Sequence, residues 1–216
     1  MVEMKKEHIN KYNLPFAATG IILAGGKSSR MGRDKSMLPL ADSGESMLKN
    51  IWNGLIPLCK EILICGNSSD KYKLPDTVEI SDIYKDRGPL SGIHAGLKRA
   101  SYDYSFIVSC DMANFNQELA AFLLSKCDNY DLIIPQHNGL FEPLFAVYHK
   151  NTLDIIEKKI LSGENRVQKI IAEANPLIID DDEIKAFGDP KELFKNINTP
   201  EDYQKINEKF KRGNHE

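Results

Sequence analysis

The stretch Gly20–Lys35 constrains the fold of this chain more than any other part of the sequence. It begins with the apolar run Ile21–Leu23, which is suited to a buried strand, and Gly25-Gly26 ends that run. Paired glycines are typical of backbone that turns with positive φ or approaches a ligand closely. Four cations follow, opposed by one acid: Lys27, Arg30, Arg33 and Lys35 against Asp34. A glycine-rich, cationic bend after a strand favours the binding of a polyanion.

The length and charge of the chain limit the classes of protein to which it can belong. Its 216 residues are 42% hydrophobic and 27% charged, which is ordinary for one soluble globular domain. The 28 Lys and Arg residues are balanced by 31 Asp and Glu residues, for a net charge of -3. A broad basic face for nucleic acid is therefore not expected, and any anion site must be local.

The cysteines and the N-terminus predict a cytoplasmic protein. Residues 1–15 are polar and are predicted to form a tail, whereas residues 16–216 are predicted to form a single domain. The tail lacks the apolar core of a signal peptide, and no window approaches the ~20 apolar residues that a membrane span needs. Four cysteines without a C-x-x-C pair are predicted to be reduced thiols: Cys59, Cys65, Cys110 and Cys127.

The order of apolar and turn-forming segments predicts an α/β fold. Strands are predicted at 18–23, 61–65, 78–80, 104–110, 132–134, 144–148 and 177–179. Helices are predicted after Ser46, from about Leu90, and at 119–124, 152–161 and 166–174. This alternation predicts a three-layer, doubly wound, mostly parallel sheet. Ligands of such sheets bind outside the carboxyl ends of the strands, where the loops after the first four strands would converge.

Two familiar nucleotide-binding motifs do not match the glycine-rich stretch. Gly26-Lys27-Ser28 ends like a Walker motif, but Ile21 occupies the position that requires a glycine. Gly25-Gly26 also lacks the G-x-G-x-x-G spacing of a Rossmann dinucleotide loop. The stretch is therefore predicted to bind a nucleotide by a different kind of loop.

The pattern Leu-Ala-Gly-Gly-x-Ser-x-Arg-Met-Gly-x-Asp-Lys at 23–35 resembles the signature of nucleotidyltransferases with the sugar-nucleotide transferase fold. It is most similar to the MobA-type molybdenum cofactor guanylyltransferases, because related cytidylyltransferases and sugar-phosphate enzymes usually show Ala-Ala-Gly at the double glycine. Further matches follow in the family's order: Asn67, Asp82 with Gly88-Pro-Leu-Ser-Gly92, Cys110-Asp-Met112, and Asn196-x-Asn-Thr-Pro-Glu-Asp202. The resemblance covers about 20–203, and Ala113 departs from it where the family often has proline.

The resemblance implies a reaction and its substrates. GMP would be transferred from GTP to Mo-molybdopterin, giving Mo-molybdopterin guanine dinucleotide and pyrophosphate, on a Rossmann-like nucleotidyltransferase fold. Molybdoenzymes or cofactor-delivery proteins are candidate partners. Three alternatives stay open: a molybdopterin cytidylyltransferase, a sugar-1-phosphate nucleotidyltransferase, and a noncatalytic nucleotide-binding cofactor carrier. A pure carrier needs no metal ligand paired with a phosphate cation, so the presence of both Lys35 and Asp111 argues against the last.

The resemblance also implies roles for individual residues. Attack of one phosphate on another builds negative charge that Mg²⁺ and fixed cations can screen. Asp111 is the predicted Mg²⁺ ligand, because a carboxylate at a strand end suits that ion, and Lys35, assisted by Arg30, is predicted to neutralise the triphosphate. The nucleotide-binding set is Leu23, Ala24, Gly25, Gly26, Lys35, Asn67, Asp82 and Asp111. The pterin-binding residues would be Asn196 and Asn198.

Structural roles compete with these assignments. Asp111 by itself could cap a helix, and Lys35 by itself could be a solvated surface cation. Asn196 and Asn198 could form turns. The acidic run at 180–183 is predicted to be a solvated loop rather than a metal cluster, because consecutive acids point in different directions.

Three histidines and one glutamate complete the set of candidate functional residues. His94, His137 and His149 have no Cys or His partners at ligand spacing, so zinc is not expected. His94 shares a helical face with apolar residues and is predicted to face the packed side. Glu142, before Pro143, is assigned either a structural or a substrate-side role.

Overall fold

The computed structural model describes residues 9, 11–25, 35–40, 44–66, 71–112 and 114–213. Three of the predicted site residues lie outside these ranges, namely Gly26, Arg30 and Asn67. Most of the predicted N-terminal tail also lies outside them. The architecture below is that of the described residues.

The described residues form eight strands, eight α-helices and a short 3-10 helix. The strands are β1 (Phe16–Leu23), β2 (Cys59–Gly66), β3 (Thr77–Ser81), β4 (Tyr104–Ser109), β5 (Leu132–His137), β6 (Leu140–Phe141), β7 (Phe145–His149) and β8 (Pro176–Ile179). The α-helices are α1 (Met47–Leu55), α2 (Pro89–Arg99), α3 (Gln117–Ser125), α4 (Thr152–Leu161), α5 (Gln168–Ile171), α6 (Asp181–Lys185), α7 (Pro190–Leu193) and α8 (Pro200–Gly213). The 3-10 helix spans Lys35–Met37.

The strands form one mainly parallel sheet, which confirms the predicted fold class. Their order is β3-β2-β1-β4-β7-β5-β6, and β8 also pairs with β5. The first four are mutually parallel, and β8 is parallel to β5. β7 runs antiparallel to both β4 and β5. This reversal is not a feature of the predicted pattern, and it follows from the turn at Asn138-Gly139, where both residues have positive φ.

Apolar side chains pack on both faces of the sheet. Ile22 of β1 lies in a core with residues of α1 and α3, whereas Ile21 and Leu23 lie in a second core with residues of α2 and α4. This alternation is the period of two expected for a strand covered on both sides. The predicted three-layer arrangement is thereby confirmed. Within the described residues, no helix combines the length and apolarity that crossing a membrane requires.

The helix caps confirm one prediction and exclude one of the competing structural interpretations. Ser46 accepts a hydrogen bond from the Lys49 backbone N–H and caps α1, as predicted. Asn116, not Asp111, caps α3, because its side-chain oxygen accepts from the Leu119 N–H at 2.8 Å. The helix-cap interpretation of Asp111 is therefore wrong.

The acidic run at 180–183 is not the predicted solvated loop. Asp180 accepts from the N–H groups of Asp182 and Glu183 and starts α6, so the following acids lie in its first turn. Carboxylates are favourable there because the N-terminus of a helix carries partial positive charge. The helix predicted at 166–174 is shorter in the structure, where only α5, residues 168–171, is helical.

A capping box starts α8, a helix that the sequence pattern did not predict. Thr199 Oγ1 accepts from the Asp202 N–H at 3.1 Å, and Asp202 Oδ2 accepts from the Thr199 N–H at 2.9 Å. The same carboxylate accepts from the Asn198 N–H at 3.1 Å. The Thr-Pro-Glu-Asp sequence therefore both starts a helix and holds the backbone of Asn198.

Candidate active site

Backbone hydrogen bonds join three strand ends at the carboxyl edge of the sheet. The Ala24 N–H, just after β1, donates to the Cys65 carbonyl of β2 at 2.7 Å. The Cys110 N–H, just after β4, donates to the Leu23 carbonyl at 3.0 Å. The ends of β1, β2 and β4 therefore lie side by side, and Asp111 lies close to Leu23 and Ala24.

A cavity of about 430 Å³ opens at this edge. It is lined by Leu23, Gly25, Cys65, Asp82, Asp86, Gly88, Pro89, Gly92, Ser109, Asp111 and Leu144. Four of these were predicted to bind nucleotide: Leu23, Gly25, Asp82 and Asp111. Its walls combine apolar side chains, backbone and three carboxylates, a mixture suited to an organic ligand with several hydrogen-bond donors or a cation.

The start of α2 forms one wall of the cavity. Gly88 precedes α2 with φ +61, a conformation that favours glycine. A Cβ on Gly92 would lie 2.9 Å from Leu23 Cδ2, closer than real contacts allow. The glycines of the Gly-Pro-Leu-Ser-Gly segment therefore let the helix begin directly against β1.

Asp82 presents a buried oxygen that has no hydrogen-bond partner among the described residues. It follows β3 directly, and its Oδ1 is that oxygen. Burial raises the pKa of Asp82 to about 6. Because an unpaired buried acceptor is costly, the arrangement favours a ligand that donates hydrogen bonds to this carboxylate.

Asp111 is oriented by a neighbouring hydroxyl. Ser109 Oγ donates to Asp111 Oδ1 at 2.6 Å. Ser109, the last residue of β4, was not among the predicted site residues. The hydrogen bond holds one carboxylate oxygen of Asp111 in place and thereby restricts the rotation of the whole carboxylate.

The C-terminal Asn-Ile-Asn segment packs directly against Asp111 and Lys35. Met112 and Asn196 form an antiparallel bridge, and the Ile197 N–H donates to the Asp111 carbonyl at 2.8 Å. Lys35 Nζ in turn donates to the Ile197 carbonyl at 2.9 Å and lies 3.4 Å from Asn198 Oδ1. The predicted phosphate cation, metal ligand and pterin-side residues are therefore neighbours, although 162 positions separate Lys35 from Ile197.

The same contacts bear on the structural alternatives for these residues. Lys35 is not a solvated surface lysine, because its ammonium group is held against the backbone of residue 197. Asn196 Oδ1 is buried and, like Asp82 Oδ1, has no hydrogen-bond partner among the described residues. A turn role does not explain that oxygen, whereas a ligand with a donor group would satisfy it.

Glu142 and His137 lie at the same edge, towards β5 and β7. Asp181 pairs with His137 Nδ1, and Asn138 Nδ2 contacts His137 Nε2 at 2.8 Å. Burial raises the pKa of Glu142 to about 7, and the charge of His137 partly opposes that rise. The structural and the substrate-side roles of Glu142 both stay predictions.

His94 is fully buried, as predicted. Burial lowers its pKa, and the nearby carboxylate of Glu157, 3.6 Å from Nε2, partly opposes that effect. The ring of Tyr84 packs edge-on against the imidazole of His94, with 5.0 Å between the ring centroids. His94 thus belongs to the support of the loop between β3 and α2.

A mainly parallel sheet with a carboxylate-lined cavity at the strand ends is typical of α/β proteins that bind a ligand at the carboxyl edge of the sheet. Residues 20–177 match the family model described as MobA-like NTP transferase domain. The chain therefore belongs to the MobA-like NTP transferase family.

Similar proteins agree with this family. The chain is 36% identical over 192 residues to a probable molybdenum cofactor guanylyltransferase of Natranaerobius thermophilus, covering 86% of this chain and 93% of the relative. It is 31% identical over 198 residues to the molybdenum cofactor guanylyltransferase of Desulfosudis oleivorans, covering 91% of this chain and 98% of the relative.

Solved structures share the fold. The crystal structure of molybdopterin-guanine dinucleotide biosynthesis protein A from Archaeoglobus fulgidus matches with a TM-score of 0.76 at 23% identity, covering 90% of this chain and 99% of that one. A 2-C-methyl-D-erythritol 4-phosphate cytidylyltransferase from Thermus thermophilus matches with a TM-score of 0.66 at 13% identity, covering 91% and 100%. These likenesses confirm the Rossmann-like nucleotidyltransferase fold.

Proposed function

We propose that this protein transfers GMP from GTP to Mo-molybdopterin, giving Mo-molybdopterin guanine dinucleotide and pyrophosphate. The names of its relatives support the substrates. The observation that carries the proposal is the meeting of Lys35, Asp111 and the Asn196–Asn198 segment beside the cavity. A carrier that only bound nucleotide would not require a carboxylate, a cation and a second ligand surface at one point.

We place the GTP donor and the molybdopterin acceptor on two different sides of the site. The cavity between β1, β2, β3 and α2 would hold the nucleotide, with Leu23, Gly25 and Asp82 around it. The Asn196–Asn198 segment lies across Asp111 and would hold the molybdopterin phosphate. The α-phosphorus of GTP would then lie between the two substrates, near Asp111 and Lys35.

The reaction needs little covalent participation from the protein. An oxygen of the molybdopterin phosphate attacks the α-phosphorus of GTP, a new P–O bond forms, and the bond to the bridging oxygen of the β-phosphate breaks. Pyrophosphate leaves with the electron pair of that bond. The Lys35 ammonium group would stabilise the charge that accumulates on the phosphates, and positioning by the two walls would align the reactants.

The residues present fit a Mg²⁺ ion. Among the described residues, no three His, Cys, Asp or Glu side chains cluster to hold a metal ion by themselves. Mg²⁺ is commonly bound by one or two carboxylates together with substrate phosphates and water, so the single oriented carboxylate of Asp111 suffices. We propose Asp111 as its protein ligand, and the bound ion would supply charge neutralisation on the phosphates.

Asp82 would select the base. Guanine presents the N1–H and the 2-amino group as neighbouring donors, which a carboxylate can accept, whereas the pairing edge of cytosine offers only its 4-amino donor. The partnerless Oδ1 of Asp82 supports this role.

Asp82→Asn should stabilise the free protein at neutral pH while weakening GTP binding. Burial raises the pKa of Asp82 to about 6 from its usual value near 4, so the folded state resists its ionisation. The preference of the folded state for the neutral Asp82 carboxyl group contributes to the free energy of unfolding in full below about pH 4. This contribution is lost as pH rises through about 6. Thermal melts of both proteins from pH 4 to 8 should show equal Tm at the acid end and a growing advantage for the variant above it. A constant difference across that range would contradict the burial of this carboxylate.

The wild-type protein should turn over GTP in preference to CTP. With Mg²⁺ and Mo-molybdopterin, the expected result is pyrophosphate and the guanine dinucleotide, with kcat/KM for CTP lower by about 10² or more if two hydrogen bonds to the base are lost. Chromatography of the dinucleotide product identifies the base. Turnover of CTP but not GTP would reject the guanylyltransferase proposal and support a cytidylyltransferase, and acceptance of sugar 1-phosphates would indicate the remaining enzyme class.

The domain organisation and location are also proposals. Residues 16–216 are proposed to act as one nucleotidyltransferase domain, since β1 and β8 belong to one sheet and residues 196 and 197 pair with residues 111 and 112 after β4. All four cysteines are free, which supports a reducing compartment, and we propose the cytoplasm.

A further inference from the structure

Tyr72 connects three separate segments of the candidate active site. Its hydroxyl accepts a hydrogen bond from Ser36 Oγ at 3.0 Å. The same hydroxyl donates to the Ala24 carbonyl across a longer distance of 3.5 Å. Ala24 directly precedes Gly25 and Ser36 directly follows Lys35, so one phenol touches the residues on either side of residues 25–35.

The hydroxyl of Tyr72 is placed between these two partners as a neutral group. Burial raises its pKa above the ordinary value for tyrosine, and the hydrogen bond from Ser36 opposes that rise. A neutral phenol can donate to the Ala24 carbonyl while accepting from Ser36, whereas a phenolate could only accept. Both contacts therefore belong to the form present at neutral pH.

The backbone of Tyr72 is held independently by Glu79 of β3. The Glu79 carboxylate accepts the N–H groups of Lys71 and Tyr72 at 2.6 Å and of Lys73 at 2.9 Å. Burial would raise the pKa of Glu79, but these backbone hydrogen bonds hold it below its ordinary value. Residues 71–73, including Tyr72, are therefore held to β3 by these hydrogen bonds.

Lys35 receives support from two directions as a result. Its ammonium group is held by the Ile197 carbonyl on the acceptor side. Its neighbour Ser36, which is fully buried, is held by Tyr72 on the side of β3. The position of the Lys35 ammonium group relative to the carboxyl ends of the strands therefore depends on both contacts.

We propose that Tyr72 is a positioning residue that sets the place of Lys35 against the nucleotide phosphates. It acts through Ser36 and the Ala24 carbonyl and does not touch the reacting atoms. This inference rests on the proposed function, in which Lys35 binds the triphosphate. A small displacement of Lys35 would weaken its contact with the transition state, because such contacts depend steeply on distance.

Tyr72→Phe tests the proposal, since it removes the hydroxyl and keeps the ring. The expected result is a fall of about tenfold in kcat/KM for GTP, of the size expected when one hydrogen bond that orders a site is lost, with Tm close to wild type. Ser36→Ala should have the same effect, and combining it with Tyr72→Phe should add little. Tyr104→Phe is the matched control, because Tyr104 donates to the carbonyls of Asp128 and Tyr130 at the opposite edge of the sheet.

A double variant separates positioning from a purely structural role. If Tyr72 acts through Lys35, adding Tyr72→Phe to Lys35→Met should cause little further loss of kcat/KM. Independent, multiplied losses would overturn the proposal, as would a Tyr72→Phe enzyme with unchanged kcat/KM.

The same inference can be judged apart from the proposed reaction. Titration calorimetry with Mg²⁺ and GTP reports nucleotide binding without any acceptor substrate, and the Kd should rise in Tyr72→Phe but not in Tyr104→Phe. A wild-type protein that binds GTP without releasing pyrophosphate would reject the proposed transfer and leave this comparison intact. Equal Kd values for wild type and Tyr72→Phe would reject the role of Tyr72.

Discussion

Asp111→Asn is expected to lower kcat by at least about 10³-fold, because it removes the proposed Mg²⁺ ligand from the point where the two phosphates would meet in the proposed reaction. Asparagine retains an Oδ1 that can accept the hydrogen bond from Ser109, which is 2.6 Å long in the native protein. The local structure should therefore persist while the negative charge is lost. Pyrophosphate release at several Mg²⁺ concentrations measures the effect, and Asp111→Ala should show the same loss.

The fold of the Asp111 variant should remain intact. Asparagine has nearly the size and shape of aspartate and keeps the acceptor for Ser109, so the packing around residue 111 should not change. Asp103→Asn is a suitable control, since Asp103 precedes the same strand at its other end. An Asp111→Asn protein with native kcat would remove Asp111 from the metal role, and a loss of kcat in the control would indicate a general effect on β4.

Lys35→Met is the second substitution with a large expected effect. It removes the ammonium group proposed to bind the triphosphate and keeps most of the apolar stem, so kcat/KM for GTP should fall by about 10²-fold to 10³-fold. Arginine should not restore full activity, because its planar group cannot reproduce the contact with the Ile197 carbonyl in the same place.

Salt dependence provides a second readout for Lys35. If the lysine contacts the triphosphate, GTP binding should weaken less steeply with added salt in the variant than in the wild type. Lys49→Met is the matched control, because Lys49 forms an exposed ion pair with Glu45 one helical turn away. Unchanged kcat/KM in Lys35→Met would contradict the phosphate contact, whatever the salt dependence.

Several elements could be predicted from the sequence because their signals are local. Apolar runs such as Ile21–Leu23 mark buried strands, and Ser46 before an amphipathic segment marks a helix start. The direction of β7 was not predicted, although Asn138-Gly139 between apolar segments is a local signal for a hairpin. Residues 145–149 do not show the direction of the strand by themselves, and the structure shows it in the pairing of β7 with β4 and β5.

The site was predictable in its residue types but not in its arrangement. Asp82 and Asp111 follow strands, so their location at one edge followed from parallel topology. The contributions of Ser109 and Tyr72 were missed, because a serine within a strand and a tyrosine in a polar turn carry no distinctive local signal. Their roles appear only as distances to Asp111, Ser36 and Ala24.

The glycine-rich stretch shows which properties of this protein follow from the sequence and which depend on the tertiary structure. By itself the sequence determined a strand that ends in paired glycines with cations after them, since φ freedom and charge are properties of the residues themselves. Only the tertiary structure decided what Lys35 faces. The Asn196–Asn198 segment contacts it only in the folded protein, because a contact across 162 positions depends on packing of the core and not on local preference.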